Sequence, residues 1–347
     1  MRGTIVALLV LGGLTPLSGP PPAAAQTLTL DEWTVPWERT RPRDPYVGPD
    51  GRVWFVGQVG NYAAVLDPRT GDFERYELGD VAGPHNLVVA DDGMVWYTGN
   101  LSRHIGRLDP VAGTIDTISM PDDRARDPHT LVWTREGDLW FSVQNGNFVG
   151  FLDTETREVR LIEGPLAETR RGPGSSRPYG IKLDSRDIPW IALFNTNAIA
   201  TVDPVTFAMR TYALPEGARP RRLEVDSHDR VWYVDYARGK LGRLDPASGD
   251  VREWATPSGD QSKPYGMAMD ADDRVWLVET GVQPNRFVGF DPATERFFSQ
   301  ADVPSGGGTV RHMYYDRGTN VVWFGSDANT IGRATLPPLR KRRVSAR

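Results

Sequence analysis

Short apolar runs alternate with polar, turn-forming clusters along the chain, and one arrangement of them recurs. A run such as "LVVA" (Leu87 to Ala90) leads into the turn "DDG", then into a second apolar run built on tryptophan, "MVWYTG". A polar loop follows, then a strand like "HIGRLD", a "DP..G" turn and a last strand like "DVREWATP". Asp-Gly and Asp-Pro corners between short alternating runs are hairpin signals, because they supply a positive or a fixed φ at the bend. Seven of the eleven tryptophans hold the same place in the unit: Trp54, Trp96, Trp140, Trp190, Trp232, Trp276 and Trp323, spaced 42 to 50 residues apart. That period is in the range of propeller blades. Four strands in each of seven units predict an all-β, seven-bladed β-propeller. The seventh unit stops after "TIGRAT" without its last strand, whereas "LDEWTVP" (Leu30 to Pro36) echoes "VREWATP" (Val251 to Pro257). The N-terminal strand is therefore expected to complete blade seven and close the ring.

Composition changes this picture mainly at the ends. The opening "MRGTIVALLVLGGLTPLSGPPPAAAQ" reads as a secretory leader ending near Ala25, too short and wrongly flanked for a membrane span. The propeller is then assigned to 26–337, exported to the periplasm or the exterior. The basic stretch 338–347 is read as a solvated, disordered tail. With no cysteine, the chain has no disulfides, no thiol chemistry and no Cys-type metal site. A net charge of −5 gives no reason to expect a nucleic acid partner. A monomer with a small-molecule or cyclic peptide ligand is expected.

Strand order decides where chemistry can gather. The first strand of each blade lines the central channel, and its start shares a face with the loop between strands two and three. The acid-rich turns "DADDR" and "DSHDR", His228 included, lie on the opposite face and are read as turn chemistry, since they lack an EF-hand spacing. Proline opens most of the first strands, where no ladder donor is needed, and the next residue is expected to point to the channel mouth. Around the ring these are Arg43, His85, His129, Tyr179, Arg221, Tyr265 and Arg311; in "TVRHM", which lacks the proline, His312 is the alternative to Arg311. Three arginines, two histidines and two tyrosines with no aliphatic residue suggest a site; polar filling of a wide channel is the competing reading. The neighbouring loops add Gln58, Asn100, Gln144, Asn195, Glu279 and Asp327. The longest connection, Glu163 to Arg177, is expected to be either a lid over the mouth or a pliant insertion.

The "PYGI"-like strand starts, "DG.(V/L)WF" and "IGR(L)D" strands and "EW..P" ends resemble the streptogramin B lyases (virginiamycin B lyases) over nearly all of the chain. The resemblance implies a lyase that opens a cyclic depsipeptide by elimination, with Mg²⁺. Such a reaction needs a base near neutral pKa for the proton α to a carbonyl, and a cation or donor set for the enolate-like charge. It implies histidines in the last two blades, a tyrosine in the first, a glutamate two residues before the second histidine, and another acid in the nearby loop. Here the sixth blade has Tyr265, the seventh Arg311-His312 and the first Arg43, so that only His312 is retained in place as a base, in a shifted register.

The same pattern recurs rotated around the axis. His85, His129 and Tyr179 stand on consecutive blades, Asp127 lies two residues before His129, and Gln144 replaces the second acid. In this arrangement His129 is the base, Asp127 orients it or holds a metal, and His85 and Tyr179 stabilise charge. Arg43, Arg221, Tyr265, Arg311 and Gln144 bind substrate, the arginines suiting one with carboxylates. Mg²⁺ is implied by the resemblance alone, and replacing an acid by Gln144 weakens its site. The alternatives are a non-catalytic exported propeller that binds a peptide or glycan and, with fewer carboxylates than it needs, a metal-dependent lactonase.

Overall fold

The tryptophan-bearing runs are buried along their whole length, as Val53–Gly57, Leu139–Val143 and Val231–Asp235 illustrate. The outermost strands, such as Phe73–Glu77 and Val251–Ala255, are only partly covered. This gradient from buried to half-solvated is what a radially arranged sheet imposes. The computed structural model describes residues 28–169 and 172–340, so the stretch expected as a leader and residues 341–347 lie outside the described residues. Seven four-stranded antiparallel sheets follow one another in chain order, each with its first strand innermost. The only helical element among the described residues is a short 3-10 turn, Gly259–Gln261. The fold is a seven-bladed β-propeller.

Blade seven is composite. Thr29–Thr34 pairs antiparallel with Thr330–Thr335, Trp33 facing Ile331, and forms the outer strand that the seventh unit lacks. Trp33 also packs on Trp323 of the same blade, 5.6 Å between ring centroids. The core is distributed between blades. Each of seven apolar clusters joins two neighbouring sheets, for example Trp190 and Ile199 with Leu223 and Tyr233, or Phe55 and Tyr62 with Trp323 and Ile331. Close approach of the strands requires glycine at one place in several blades. A Cβ on Gly106, Gly150, Gly242 or Gly332 would fall 2.1 Å from the ring of Tyr97, Phe141, Tyr233 or Phe324 on the adjacent strand.

The acidic turns behave as structural devices in blades four to six. Asp184, Asp226 and Asp270 each accept the indole N–H of the blade tryptophan (Trp190, Trp232, Trp276) at 3.3, 2.9 and 2.8 Å. They also bind the turn arginines Arg186, Arg230 and Arg274. His228 sits exposed in one of these turns. The stretch expected as a solvated tail departs from that reading at its start. Pro337 and Pro338 carbonyls accept from Arg274, and Arg340 binds Asp272 through its backbone N–H and Asp291 through its guanidinium. Two acids of blade six thus fix the arginine that a composition argument would leave in water.

The long connection carries secondary structure of its own. Leu166–Thr169 and Gly172–Ser175 form a two-stranded hairpin. Asn147 anchors its base, accepting from Ser176 N–H at 2.8 Å and donating to Gly164 O at 2.7 Å.

Asp270 is a test of how far the turns hold the blades. The Arg274 guanidinium is almost wholly buried against it at 2.6 Å. Asp270→Ala strands that charge, and urea denaturation is expected to show a loss of about 3–5 kcal/mol.

Candidate active site at the axial mouth

Every innermost strand carries a register shift near its start, between Pro128 and Leu131 in blade three and at the matching place in five others, and one residue later, between Arg43 and Tyr46, in blade one. A bulge leaves residues unpaired and re-aims their side chains. Here it turns them toward the axis. The expected mouth residues do meet across the axis. The His85 and His129 rings meet at a tilt of 35° with centroids 3.5 Å apart, and His129 lies 4.3 Å from the Tyr179 ring. The Tyr179 and Tyr265 hydroxyls hydrogen-bond each other. Arg221 lies over Tyr265 at 3.6 Å and over Tyr236 and Phe194 at 4.3 and 4.8 Å. Arg43 donates to Gln58 at 2.9 Å, and Arg311 pairs with Asp327 at 2.5 Å.

The remaining expected site residues stand elsewhere. Asp127 does not orient His129: its two carboxylate oxygens accept from Asn145 N, Asn145 Nδ2 and Gly146 N at 2.7, 2.6 and 2.9 Å, which clamps the following loop. His129 Nδ1 instead meets Thr130 Oγ1 at 2.8 Å. Glu279 does in blade six what Asp127 does in blade three, holding Ser258 through N–H and hydroxyl. Gln144 meets the hairpin through its backbone carbonyl, which accepts from Ser175 Oγ at 2.7 Å. His312 faces a cavity of about 10 Å³ lined by Gly180, Lys182, Arg222 and Glu224, further along the inner strands than the mouth.

Two residues that the one-position-per-blade reading passes over organise the centre. Arg222 is 3% exposed and crosses the channel. Its Nε donates to the Arg311 carbonyl at 3.2 Å, its Nη1 to Thr130 Oγ1 at 3.1 Å, and its Nη2 lies 3.5 Å from Asp44 Oδ2. Asp44 also holds Arg43 Nε at 3.1 Å and accepts from Asn86 Nδ2 at 3.0 Å. The signal was available: the residue after the mouth position is Asp44, Asn86, Thr130, Arg222 or His312 in five blades, where a strand buried on both faces would be apolar.

Burial and charge then set protonation. Burial would raise the Asp44 carboxyl, but Arg43 and Arg222, among other groups, bring it down to about 2. His129 is fully buried; desolvation and then Arg222 and Arg43 hold it well below the ordinary histidine value. Desolvation, Arg43 and His129 do the same to His85. His312 falls to about 3, mainly through burial. All three imidazoles are neutral at pH 7. The phenols diverge. Burial opposes ionisation of Tyr179, yet Arg221, Arg222 and Arg43 outweigh it and lower its hydroxyl to about 8. Burial and the negative charge on Tyr179 push Tyr265 up. Divergent neighbours of this kind mark acid and base partners.

The donor set does not fit Mg²⁺. Among the described residues no three histidines or acids gather as a metal group. The mouth carries several guanidinium groups, and the carboxylates of Asp44 and Asp127 are already occupied. A hard dication needs free oxygen ligands.

Fold and site together define a seven-bladed propeller with a cationic, phenol-bearing axial mouth. The model of the virginiamycin B lyase family matches residues 25–173 and 166–338, and the chain belongs to that family. No curated protein sequence matches. Selenomethionine-substituted virginiamycin B lyase from Staphylococcus aureus is similar in structure, with 23% identity, a TM-score of 0.78, and coverage of 89% of this chain and 100% of that one. The catalytically inactive variant of that enzyme with Quinupristin gives the same figures. Kuenenia stuttgartiensis hydrazine synthase is similar at 14% identity and a TM-score of 0.70, covering 89% of this chain and 97% of that one. At these identities the structural likenesses establish the fold alone.

The phenol pair is directly observable. Titrating tyrosinate ultraviolet absorbance, one tyrosine is expected to ionise near the value of about 8 given for Tyr179. That transition is expected to vanish in Tyr179→Phe. Its persistence in the variant would assign it elsewhere.

Proposed function

We propose that the protein is a carbon–oxygen lyase working by β-elimination at the axial mouth, on a substrate that presents a carboxylate or ester carbonyl. The observation that carries this reading is the Tyr179–Tyr265 hydroxyl pair under the Arg221 guanidinium, with one phenol lowered to about 8 and the other raised. Abstraction of a proton α to a carbonyl requires such a base beside a cationic donor.

In this mechanism Arg221 and Arg311 take the substrate's carboxylate or carbonyl oxygen. Both are partly exposed, whereas Tyr179 and Tyr265 are 3% and 1% exposed, so Arg221 must swing off the Tyr265 ring for the phenols to be reached. The Tyr179 phenolate accepts the α-proton. The C–H electron pair becomes the carbon–carbon double bond, and the Cβ–O bond breaks with its pair on oxygen. Tyr265 donates a proton to that oxygen, and transfer along the Tyr179–Tyr265 hydrogen bond restores both groups. Water is not consumed. The base is thus Tyr179 rather than His129, whose ring is fully enclosed between His85 and Tyr179. The neutral histidines position the phenol. No metal step is needed, and none is assigned. Cyclic depsipeptide esters are one substrate class, as the family name suggests; uronate-containing glycans are the other, as the arginines suggest. Export rests on the leader, and the N-terminal mass of the secreted chain checks it.

A second reading is a propeller that only binds an acidic peptide or glycan. The burial of both phenols beneath the Arg221, Phe194 and Tyr236 shelf favours it.

Elimination leaves a conjugated double bond, followed by ultraviolet absorbance on a panel of both substrate classes. Tyr179→Phe is expected to lower kcat/KM by about 10²–10⁴-fold. The base is active when deprotonated, so kcat/KM should rise with pH up to a plateau above about 8. Binding without product, lost in Arg221→Gln and untouched in Tyr179→Phe, would establish the second reading instead.

A further inference from the structure

The turn carboxylates that cap the blade tryptophans in blades four to six are missing from blades two and three. Asp184, Asp226 and Asp270 directly follow their innermost strands and accept the tryptophan N–H. The residue in that place is Ala90 in blade two and Thr134 in blade three, so Ala90 brings no acceptor to the Trp96 indole. Between these two blades a cavity of about 930 Å³ opens, with Ala90, Thr134 and Trp96 in its wall. Ligand pockets commonly hold about 300–1,000 Å³. One wall is aromatic. Among the described residues Trp133 is the one tryptophan on an innermost strand, at a place held by Val89, Leu183, Val225 and Met269 in four other blades. It is half-buried and meets Trp96 edge-on, 6.1 Å between ring centroids, and half-buried Tyr46 extends that wall. The rim is acidic. Arg135 is held by Asp187 and Arg157 by Asp116, which leaves Arg107 to face Asp91, Asp92, Glu136 and Glu155. Asp92 lies 3.9 Å from Arg107, whereas Asp91, Glu136 and Glu155 are exposed and form no ion pair among the described residues.

We propose that this cavity, on the face opposite the axial mouth, binds an amino sugar oligosaccharide, its ammonium groups on the exposed carboxylates and its ring faces on Trp133 and Tyr46. The chemistry of the wall selects that class. Excess carboxylates and the negative faces of aromatic rings both attract a cation. An ammonium alone, however, only donates, and the Trp96 N–H and the Arg107 guanidinium also need acceptors. Sugar hydroxyls donate and accept, so one ligand serves the acids, the indole and the guanidinium together. The C–H face of a sugar ring matches the negative face of an aromatic one. A neutral glycan leaves the acids without a counter-charge, and an acidic glycan is repelled by them. The site uses no residue of the mouth and stands whether or not the mouth is catalytic.

Calorimetric titration of the full chain, at physiological ionic strength, compares a glucosamine oligomer with its fully N-acetylated counterpart and with spermidine. The glucosamine oligomer is expected to bind, and the other two at least about tenfold more weakly. Trp133→Leu, which installs the residue of blade four, is expected to weaken the glucosamine oligomer by about tenfold or more. The double variant Glu136→Gln, Glu155→Gln changes only exposed turn residues, is expected to have a similar effect, and carries the test if the tryptophan variant fails to fold. No binding of the glucosamine oligomer, equal affinity for either comparison ligand, or affinity unchanged in the double variant would overturn the proposal.

Discussion

The guanidinium of Arg222 reaches across the hole in the ring to three other blades. It leaves blade five and touches the backbone of blade seven, the Thr130 hydroxyl of blade three and the Asp44 carboxylate of blade one. The apolar packing of each blade is with its two neighbours, through one cluster per interface. A propeller built that way has strong walls and an unsupported centre. Arginine suits the role because its planar fork offers several donors from one rigid group.

The same centre sets the electrostatics of the mouth. Guanidinium groups bound to Asp44 and stacked on phenol rings create a positive field in a site nearly closed to water, where charges act with less screening. Neutral imidazoles fill space without adding to that field. The field stabilises the Tyr179 anion, and Tyr265, against its flank, retains its proton. A scaffold requirement and a chemical property thus have one origin, and a substitution at Arg222 would disturb both.

Much of this was legible in the sequence. The tryptophan period carried the blade count because each tryptophan fills the same buried place, and the echo of "VREWATP" in "LDEWTVP" identified the strand that closes the ring. The residue after each strand-opening position pointed to the mouth because the unit repeats its bulge along with its strands. Reading one residue per bulge, however, hid Asp44 and Arg222, since a bulge exposes two successive side chains to the axis. Asp127 misled for the opposite reason. Spacing relative to His129 cannot tell a carboxylate aimed at the ring from one that captures the backbone N–H groups of Asn145 and Gly146. The docking of Arg340 on Asp272 and Asp291 escaped because charge composition says nothing about which acids lie within reach.

The strand Thr29–Thr34 finds its partner, Thr330–Thr335, about as far away along the chain as any pairing in the molecule. The outer strand of blade seven is unpaired until both of these segments have been made. The growing protein is therefore an open crescent whose two ends both offer unpaired strand edges, a state prone to sticking to other chains. Only the pairing of Thr29–Thr34 with Thr330–Thr335 removes both edges at once. A chain cut anywhere before residue 330 would lack the partner of Thr29–Thr34, so the seam that hides both edges depends on two segments at opposite ends of the propeller.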